Sequence, residues 1–378
     1  MIPFHPSPSF SVGMEMEFQL VDPHTGDLVD GILPLLEACH DPDSIQPEFI
    51  QNTVEVISPP AENITELAAA MRLRLDELLE ACDRVGLAVC GAGSHPFCSR
   101  PAVISPGVRY ARLEEVSGWL SHNQVTFATH VHLGLGDGEE AVLLMRELKP
   151  YLPLLIALSA SSPFWHGEDS RFAAFRHRVL ASARSYGPPP DFEHWSGFEH
   201  FFATMKRARM LRAINDIHWD LRPRPDLGTI EVRVMDAQPT LGEALAFVAL
   251  LRGLIRFLRA TRGGDEERRP LRPLFWWYLK ENGFAACRYG LEARLIVSDE
   301  GEVMPLRAVA LTTLERIAPH LADDEVPHLA RLRQSIDTGL PYERARRVLA
   351  ESGTMAAVVR SLAAELRAEA AAAQATCR

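Results

Sequence analysis

The stretch Val12-Gly13-Met14-Glu15-Met16-Glu17-Phe18-Gln19-Leu20 alternates apolar and polar residues. A period of two marks a strand with one buried face. On a strand, residues i and i+2 share a face, so Glu15 and Glu17 point the same way. More than two hundred residues later, Thr229-Ile230-Glu231-Val232-Arg233-Val234-Met235 repeats the pattern, and Glu231 and Arg233 share a face. Charged groups on the inner face of an apolar strand are costly unless paired or bound to a cation. Carboxylates placed in this way are what a divalent metal holding ATP phosphates requires.

Outward from these two strands, the spacing predicts a helix around 33–39, a hairpin over 45–58 and a helix over 65–85 that starts at Thr65 and stops at Gly86. Residues 87–92 read as a short buried strand, and Thr126–Leu135 alternates again. A long helix over 138–160 is kinked or split at Pro150 and Pro153. Residues 184–191 and Trp219–Pro225 read as loops, 195–213 and 240–262 as helices, and the residues after 265 as all-helical. The strands are not separated by single helices, which disfavours a doubly wound parallel sheet. The expected class is α+β: an antiparallel sheet with helices packed on its outer side and a helical C-terminal part. The expected division is a catalytic α+β domain over 1–264 and a helical region over 265–378 packed on the same domain.

The chain has 378 residues, is 47% hydrophobic and carries a net charge of −11. Such an acidic balance argues against nucleic acid or an anionic membrane as the main partner. Lys149, Lys206 and Lys280 are the only lysines, so a grip on phosphate or carboxylate falls to arginine or a metal. Cysteines 39, 82, 90, 98, 287 and 377 form no Cys-x-x-Cys pair and read as reduced thiols. The first residues, MIPFHPSPSF, have no basic or apolar leader pattern, and no apolar stretch is long enough to span a bilayer, so the expectation is a soluble cytoplasmic protein.

Further constellations bear on chemistry. In Glu48-Phe49-Ile50-Gln51-Asn52-Thr53-Val54-Glu55, a two-residue turn at Gln51-Asn52 would set Glu48 directly opposite Glu55. Two facing acids destabilise a sheet unless a cation lies between them; the bland alternative is a solvent-facing hairpin. His130-Val131-His132 places both imidazoles on one face of a strand, although a lone His-x-His is more often structural. Ser161-Ser162-Pro163-Phe164-Trp165-His166-Gly167 is followed by Arg171, Arg176 and Arg178, suited to a carboxylate. There is no G-x-x-x-x-G-K-[ST], so ATP would not be held by a P-loop. The Lys206–Arg212 run reads as a solvated helix face.

In this order, these motifs resemble the carboxylate–amine ligase family, the bacterial type 2 glutamate–cysteine ligases. Ser94-His95-Pro96-Phe97, Trp219-Asp220-Leu221-Arg222-Pro223 and Arg288-Tyr289-Gly290-Leu291 extend the likeness over most of the chain. The resemblance implies a glutamine-synthetase-like funnel, a curved antiparallel sheet with metal ions on its inner face. It implies ATP-dependent phosphorylation of the γ-carboxylate of glutamate and displacement of phosphate by an amine, that of cysteine in the name-giving case. It implies Glu15, Glu17, Glu48, Glu55, His130 and Glu231 as ligands of Mg²⁺ or Mn²⁺, with His132 beside the metals or the substrate. It implies Arg233 on the transferring phosphoryl group, Arg222 on ATP phosphate, Arg176 on the substrate α-carboxylate, and a homodimer. Two departures fall in the implied amino-acid pocket: Ala174-Phe175-Arg176 where Ser-x-Arg is common, and Asp169-Ser170 where Thr-Gly is common. A metal-dependent hydrolase using the same acids and histidines is the alternative, separable by nucleotide dependence. A non-catalytic binding protein on the same fold is a third reading.

Overall fold

The computed structural model describes residues 2–41 and 43–376. The alternating stretch forms β1, Val12–Val21. Met14, Met16, Phe18 and Leu20 are almost wholly buried. They pack into one apolar core with Leu67, Met71 and Leu78 of the helix Ile64–Val85 and Leu245 and Val248 of the helix Leu241–Ala260. Glu15 and Glu17 occupy the opposite face, as period-2 geometry demands.

Six further strands complete the sheet: β2 (Ile45–Pro47), β3 (Thr53–Ile57), β4 (Ala88–Cys90), β5 (Thr129–Gly134), β8 (Leu221–Arg224) and β9 (Thr229–Val232). Between β5 and β8, a small separate hairpin is formed by β6 (Phe164–Trp165) and β7 (Glu168–Asp169). The order is β2-β3-β1-β5-β9-β8, with β4 also pairing with β1, and every pairing is antiparallel. The α+β class is therefore as the sequence implies.

Two local expectations need correction. Leu221–Arg224, read as a loop, is a strand. Its Pro223 is tolerated because β8 is the last strand of the sheet, where one edge needs no partner. In the 45–58 hairpin, the residue opposite Glu55 is Gln46, not Glu48. The tight turn does lie at Gln51-Asn52, since the Thr53 N–H donates to the Ile50 carbonyl at 3.1 Å. However, the Gln51 N–H donates to the Val103 carbonyl and the Ser105 N–H to the Phe49 carbonyl, both at 2.9 Å. The residues before the turn thus leave β3 for a partner fifty residues away.

The helix Ile64–Val85 begins at Asn63, whose side chain accepts from the Glu66 N–H, and ends at Gly86 in the left-handed conformation. The long helical stretch is split into Gly138–Leu148, a tight turn at Lys149–Tyr151 and Leu152–Ser159. A hairpin of β10 (Arg294–Ile296) and β11 (Val303–Pro305) interrupts the C-terminal helices. Cys39, Cys82, Cys90, Cys98 and Cys287 are free thiols, and Cys377 lies outside the described residues. Among the described residues, no helix is long and apolar enough to cross a membrane.

Candidate active site

The polar face of the sheet lines a cavity of about 610 Å³. Register explains its contents. Glu15 faces His130 across β1 and β5, Glu17 faces Glu55 across β1 and β3, His132 faces Glu231 across β5 and β9, and Arg222 faces Glu231 across β8 and β9. Four acids and two histidines from distant parts of the chain thus meet on one surface. Glu48, although displaced from its expected partner, still reaches the same cavity.

Three ligand groups can each close on an ion: Glu15, His132 and Glu231; Glu15, Glu55 and His130; Glu17, Glu48 and Glu55. Within each, the donor atoms lie within 4.8 Å of one another. His130 Nδ1 is 2.9 Å from Glu15 Oε2, and His132 Nε2 is 3.1 Å from Glu15 Oε1. His130 Nε2 is buried without a hydrogen-bond partner and stands 4.0 Å from Glu17 Oε1. Carboxylates with an imidazole fit a divalent cation, and the orphaned nitrogen is consistent with one.

The electrostatics divide the cavity. Burial, reinforced by Glu48, pushes the Glu17 carboxyl up to about 8. Burial and the neighbouring acids push Glu55 well above the usual carboxylate range, and burial raises Glu48. At the other end, Glu231 is fully buried, yet Arg233 and Arg222 overcome that burial and hold its carboxyl below the ordinary value. Arg222 forks onto it, with Nε 2.8 Å from Oε2 and Nη2 3.0 Å from Oε1, and the Arg233 Nη1 also donates to it. Glu15 lies between the two regimes: against the upward push of burial, His132 and His130 hold its carboxyl well below the usual range.

A model of the glutamate–cysteine ligase family 2 matches residues 11–361. The chain belongs to that family. It is 45% identical over 371 residues to a protein classed as glutamate–cysteine ligase 2 in Trichormus variabilis, covering 97% of this chain and 95% of the relative. It is 33% identical to the like-named protein of Thermobifida fusca, covering 97% and 93%. Among solved structures, the fold matches a glutamate–cysteine ligase of Francisella tularensis in complex with AMP, with TM-score 0.66, 14% identity, and coverage of 96% of this chain and 90% of that one. It also matches a bifunctional glutathione synthetase of Pasteurella multocida, with TM-score 0.65, 15% identity, and coverage of 96% and 52%. Membership in a ligase family leaves the hydrolase alternative without support.

In this family-2 ligase, other expected positions have distinct surroundings. Arg176 is buried and lines the cavity, its Nη1 and Nη2 donating to the Val234 and Arg233 carbonyls at 3.3 and 3.4 Å. Arg222 has its guanidinium filled, because Nη1 also donates to the Ile217 carbonyl at 2.8 Å. Asp169 points elsewhere, forking with Arg346, and Ser170 donates to the Pro163 carbonyl. Arg171 is exposed. Sequence reasoning missed further cations: Arg109, Arg112, Arg184, Arg209 and Arg212 line the cavity, and none of their guanidinium groups pairs with a carboxylate among the described residues. Arg209 and Arg212 belong to the run read as a solvated helix face; the helix ends at Arg207, and Arg209 turns with a positive φ of 61°.

Proposed function

We propose that the protein is an ATP-dependent carboxylate–amine ligase that forms a γ-glutamyl amide through an acyl phosphate. The single observation that carries this reading is a set of orphaned groups in one cavity: His130 Nε2, Arg176 Nε and Arg233 Nε are all buried without a partner. Buried polar groups are rarely left unpaired, so these are aimed at a ligand. A hydrolase activating water has no need of two such arginines.

Glu15, Glu17, Glu48, Glu55, His130 and Glu231 would hold Mg²⁺ or Mn²⁺, and His132 joins them through its group with Glu15 and Glu231. Bound there, the metal would neutralise the acids and supply positive charge to the phosphates of ATP. Arg233, anchored through Glu231, offers its free Nε–H to the charge that develops on the transferring phosphoryl group. Arg176 offers its free Nε–H to the substrate α-carboxylate. Arg222, filled by Glu231 and backbone carbonyls, positions Glu231, while Arg109 and Arg112 are the cations open to the nucleotide phosphates. The amine then displaces phosphate from the activated carbonyl. Residues 1–264 carry the chemistry in this reading, and the remainder packs on them; the protein works as a cytoplasmic homodimer on small molecules.

The test is purified protein with ATP, Mg²⁺, glutamate and a panel of amines including cysteine, read by phosphate release. Amine-dependent phosphate release is expected. ATP turnover independent of any carboxylate, or none under all pairs, would overturn the reading. Light scattering in solution would check the dimer.

A further inference from the structure

A second cavity, of about 460 Å³, lies beside the first and takes no part in the reading above. It is enclosed by the Leu152–Ser159 and Trp276–Tyr289 helices and by the turn Arg176–Leu180. The two cavities share Arg176, Leu180, Tyr186, His218 and Arg233. Tyr186 stacks on His218 with ring centroids 5.2 Å apart, so an aromatic pair and two arginines form the partition between them. The second cavity thus lies directly against Arg176 and Arg233, the arginines assigned above to the acid substrate and the phosphoryl group.

The lining of the second cavity has a definite chemistry. Ile156, Pro153, Trp276 and Phe284 supply apolar surface. Asp220 lines it, and its carboxylate accepts no hydrogen bond and makes no ion pair among the described residues. Its backbone is held firmly: the Asp220 N–H donates to the Gly187 carbonyl and its own carbonyl accepts from Arg233 N–H, both at 2.8 Å. Arg178 also lines the cavity, with a buried Nε that has no partner. The exposed Lys280 and Glu281 line it as well, and the free Asp220 carboxylate, the free Arg178 N–H and the apolar wall are the complement of a zwitterionic amino acid with an apolar side chain. The space is of the size that takes a drug-sized ligand, well beyond what cysteine fills.

Resting on the ligase reading, we propose that this second cavity is the acceptor subsite. Asp220 binds the acceptor's ammonium group and Arg178 its carboxylate, and the acceptor is an apolar or aromatic α-amino acid larger than cysteine. The ammonium gives one proton to Asp220, and the freed lone pair forms the C–N bond. The carbon–oxygen bond to phosphate breaks, its electron pair leaves on inorganic phosphate, and phosphate takes the second proton. Burial raises the Asp220 carboxyl to about 6, against Arg176 and Arg233, so it is ionised when the amine arrives and able to take the proton.

Hydroxylamine separates the steps. It traps the acyl phosphate as a hydroxamate and needs no apolar subsite. With glutamate as the acid, wild type is expected to use phenylalanine with kcat/KM about tenfold or more above cysteine. Equal or better use of cysteine overturns the size assignment. In Asp220→Asn, the ratio of phenylalanine amide to hydroxamate should fall by about tenfold or more, the scale of a lost charge-assisted contact. An unchanged ratio overturns the role of Asp220. Gly283 lines the cavity, and a Cβ there meets nothing within 4 Å, so Gly283→Leu starts into open space and adds bulk to the cavity. It should lower amide formation with phenylalanine more than with cysteine; an equal fall overturns the location. Absence of hydroxamate in wild type would sink the ligase reading itself, an outcome distinct from each of these.

Discussion

The two ends of the catalytic cavity solve the same electrostatic problem in opposite ways. Around β8 and β9, Glu231 is fully buried but is gripped by Arg222 and Arg233, with Arg224 Nη1 3.5 Å from it, and its carboxyl is held down. Around β1 and β3, Glu17, Glu48 and Glu55 crowd together, Glu55 buried and the other two half-buried, and their carboxyls are pushed up. One end carries its counter-charge in the fold. The other leaves it to a ligand. In the proposed reading, identical residue types thus have different tasks: the arginine end is a preassembled electrostatic scaffold, and the acidic end receives cations.

The largest expected effect of breaking this contrast is at the scaffold. Arg222→Ala leaves Glu231 buried without its fork, and loss of one partner of a buried pair costs about 3–5 kcal/mol. Urea unfolding of the metal-free variant should show a loss of this order. A variant of wild-type stability with only a raised KM for ATP would return Arg222 to the phosphates. Glu231→Gln leaves Arg222, Arg224 and Arg233 facing one another, so its melting temperature should fall.

At the receptor end the sign reverses. Glu17→Gln fixes the neutral form that burial and Glu48 already favour at this position, so metal-free protein should melt at an unchanged or higher temperature. Turnover should drop by about a hundredfold or more, the scale of a lost transition-state electrostatic group. Excess EDTA should abolish turnover in wild type. Near-wild-type kcat in Glu17→Gln, or full turnover in EDTA, would empty the acidic end of its assigned role.

The two ends also titrate in opposite directions. Glu17 has an ordinary value of 4.5 and a folded value of about 8. Folding therefore favours its protonated form, so its contribution is full below about 4.5 and is lost as pH rises through about 8. Glu231 is depressed, so its contribution is present above 4.5 and is lost as pH falls through its lower folded value. Metal-free protein should thus lose stability as pH is raised from about 5 to 8, and saturating Mg²⁺ should flatten that slope. A metal-free melting temperature that does not fall across this window would show that the acids are neutralised by something other than a bound cation.

How much of this was legible in the sequence depends on where each partner lies. β1 was legible because burial on one side imposes a period of two, and every second residue of Val12–Leu20 obeys it. The turn at Gln51-Asn52 was legible too, but the register around it was set by Val103 and Ser105, which no local pattern near residue 50 announces. β8 was hidden because Arg222-Pro223-Arg224-Pro225 has loop composition, and only its place at the sheet edge makes it a strand. Arg209 and Arg212 read as solvated charge because a run of cations does not say which cavity its end turns toward. Glu231 and Arg233 share a face by period alone, but Arg222 and Arg224 come into view beside Glu231 only with the β8–β9 register.

The smallest expected effect lies between the two ends, at Arg176. Its guanidinium is held by long hydrogen bonds to the Val234 and Arg233 carbonyls, and Nη1 is 3.7 Å from Asp236 Oδ1, while Nε is unpartnered. It is neither locked like Arg222 nor replaced by a cation from outside. Arg176→Lys keeps the charge but removes the planar fork, and lysine cannot offer a second parallel N–H to a carboxylate. The fold should survive, because those two hydrogen bonds are long and weak and the neighbouring Asp236 keeps its bonds to Ser161 and Ser162. If the fork receives the substrate α-carboxylate, KM for the acid substrate should rise by about tenfold, near 1.4 kcal/mol, with KM for ATP unmoved. A rise confined to the ATP KM would place Arg176 on the nucleotide side of the cavity. The partition between the two cavities would then rest on Arg233 and the Tyr186–His218 stack.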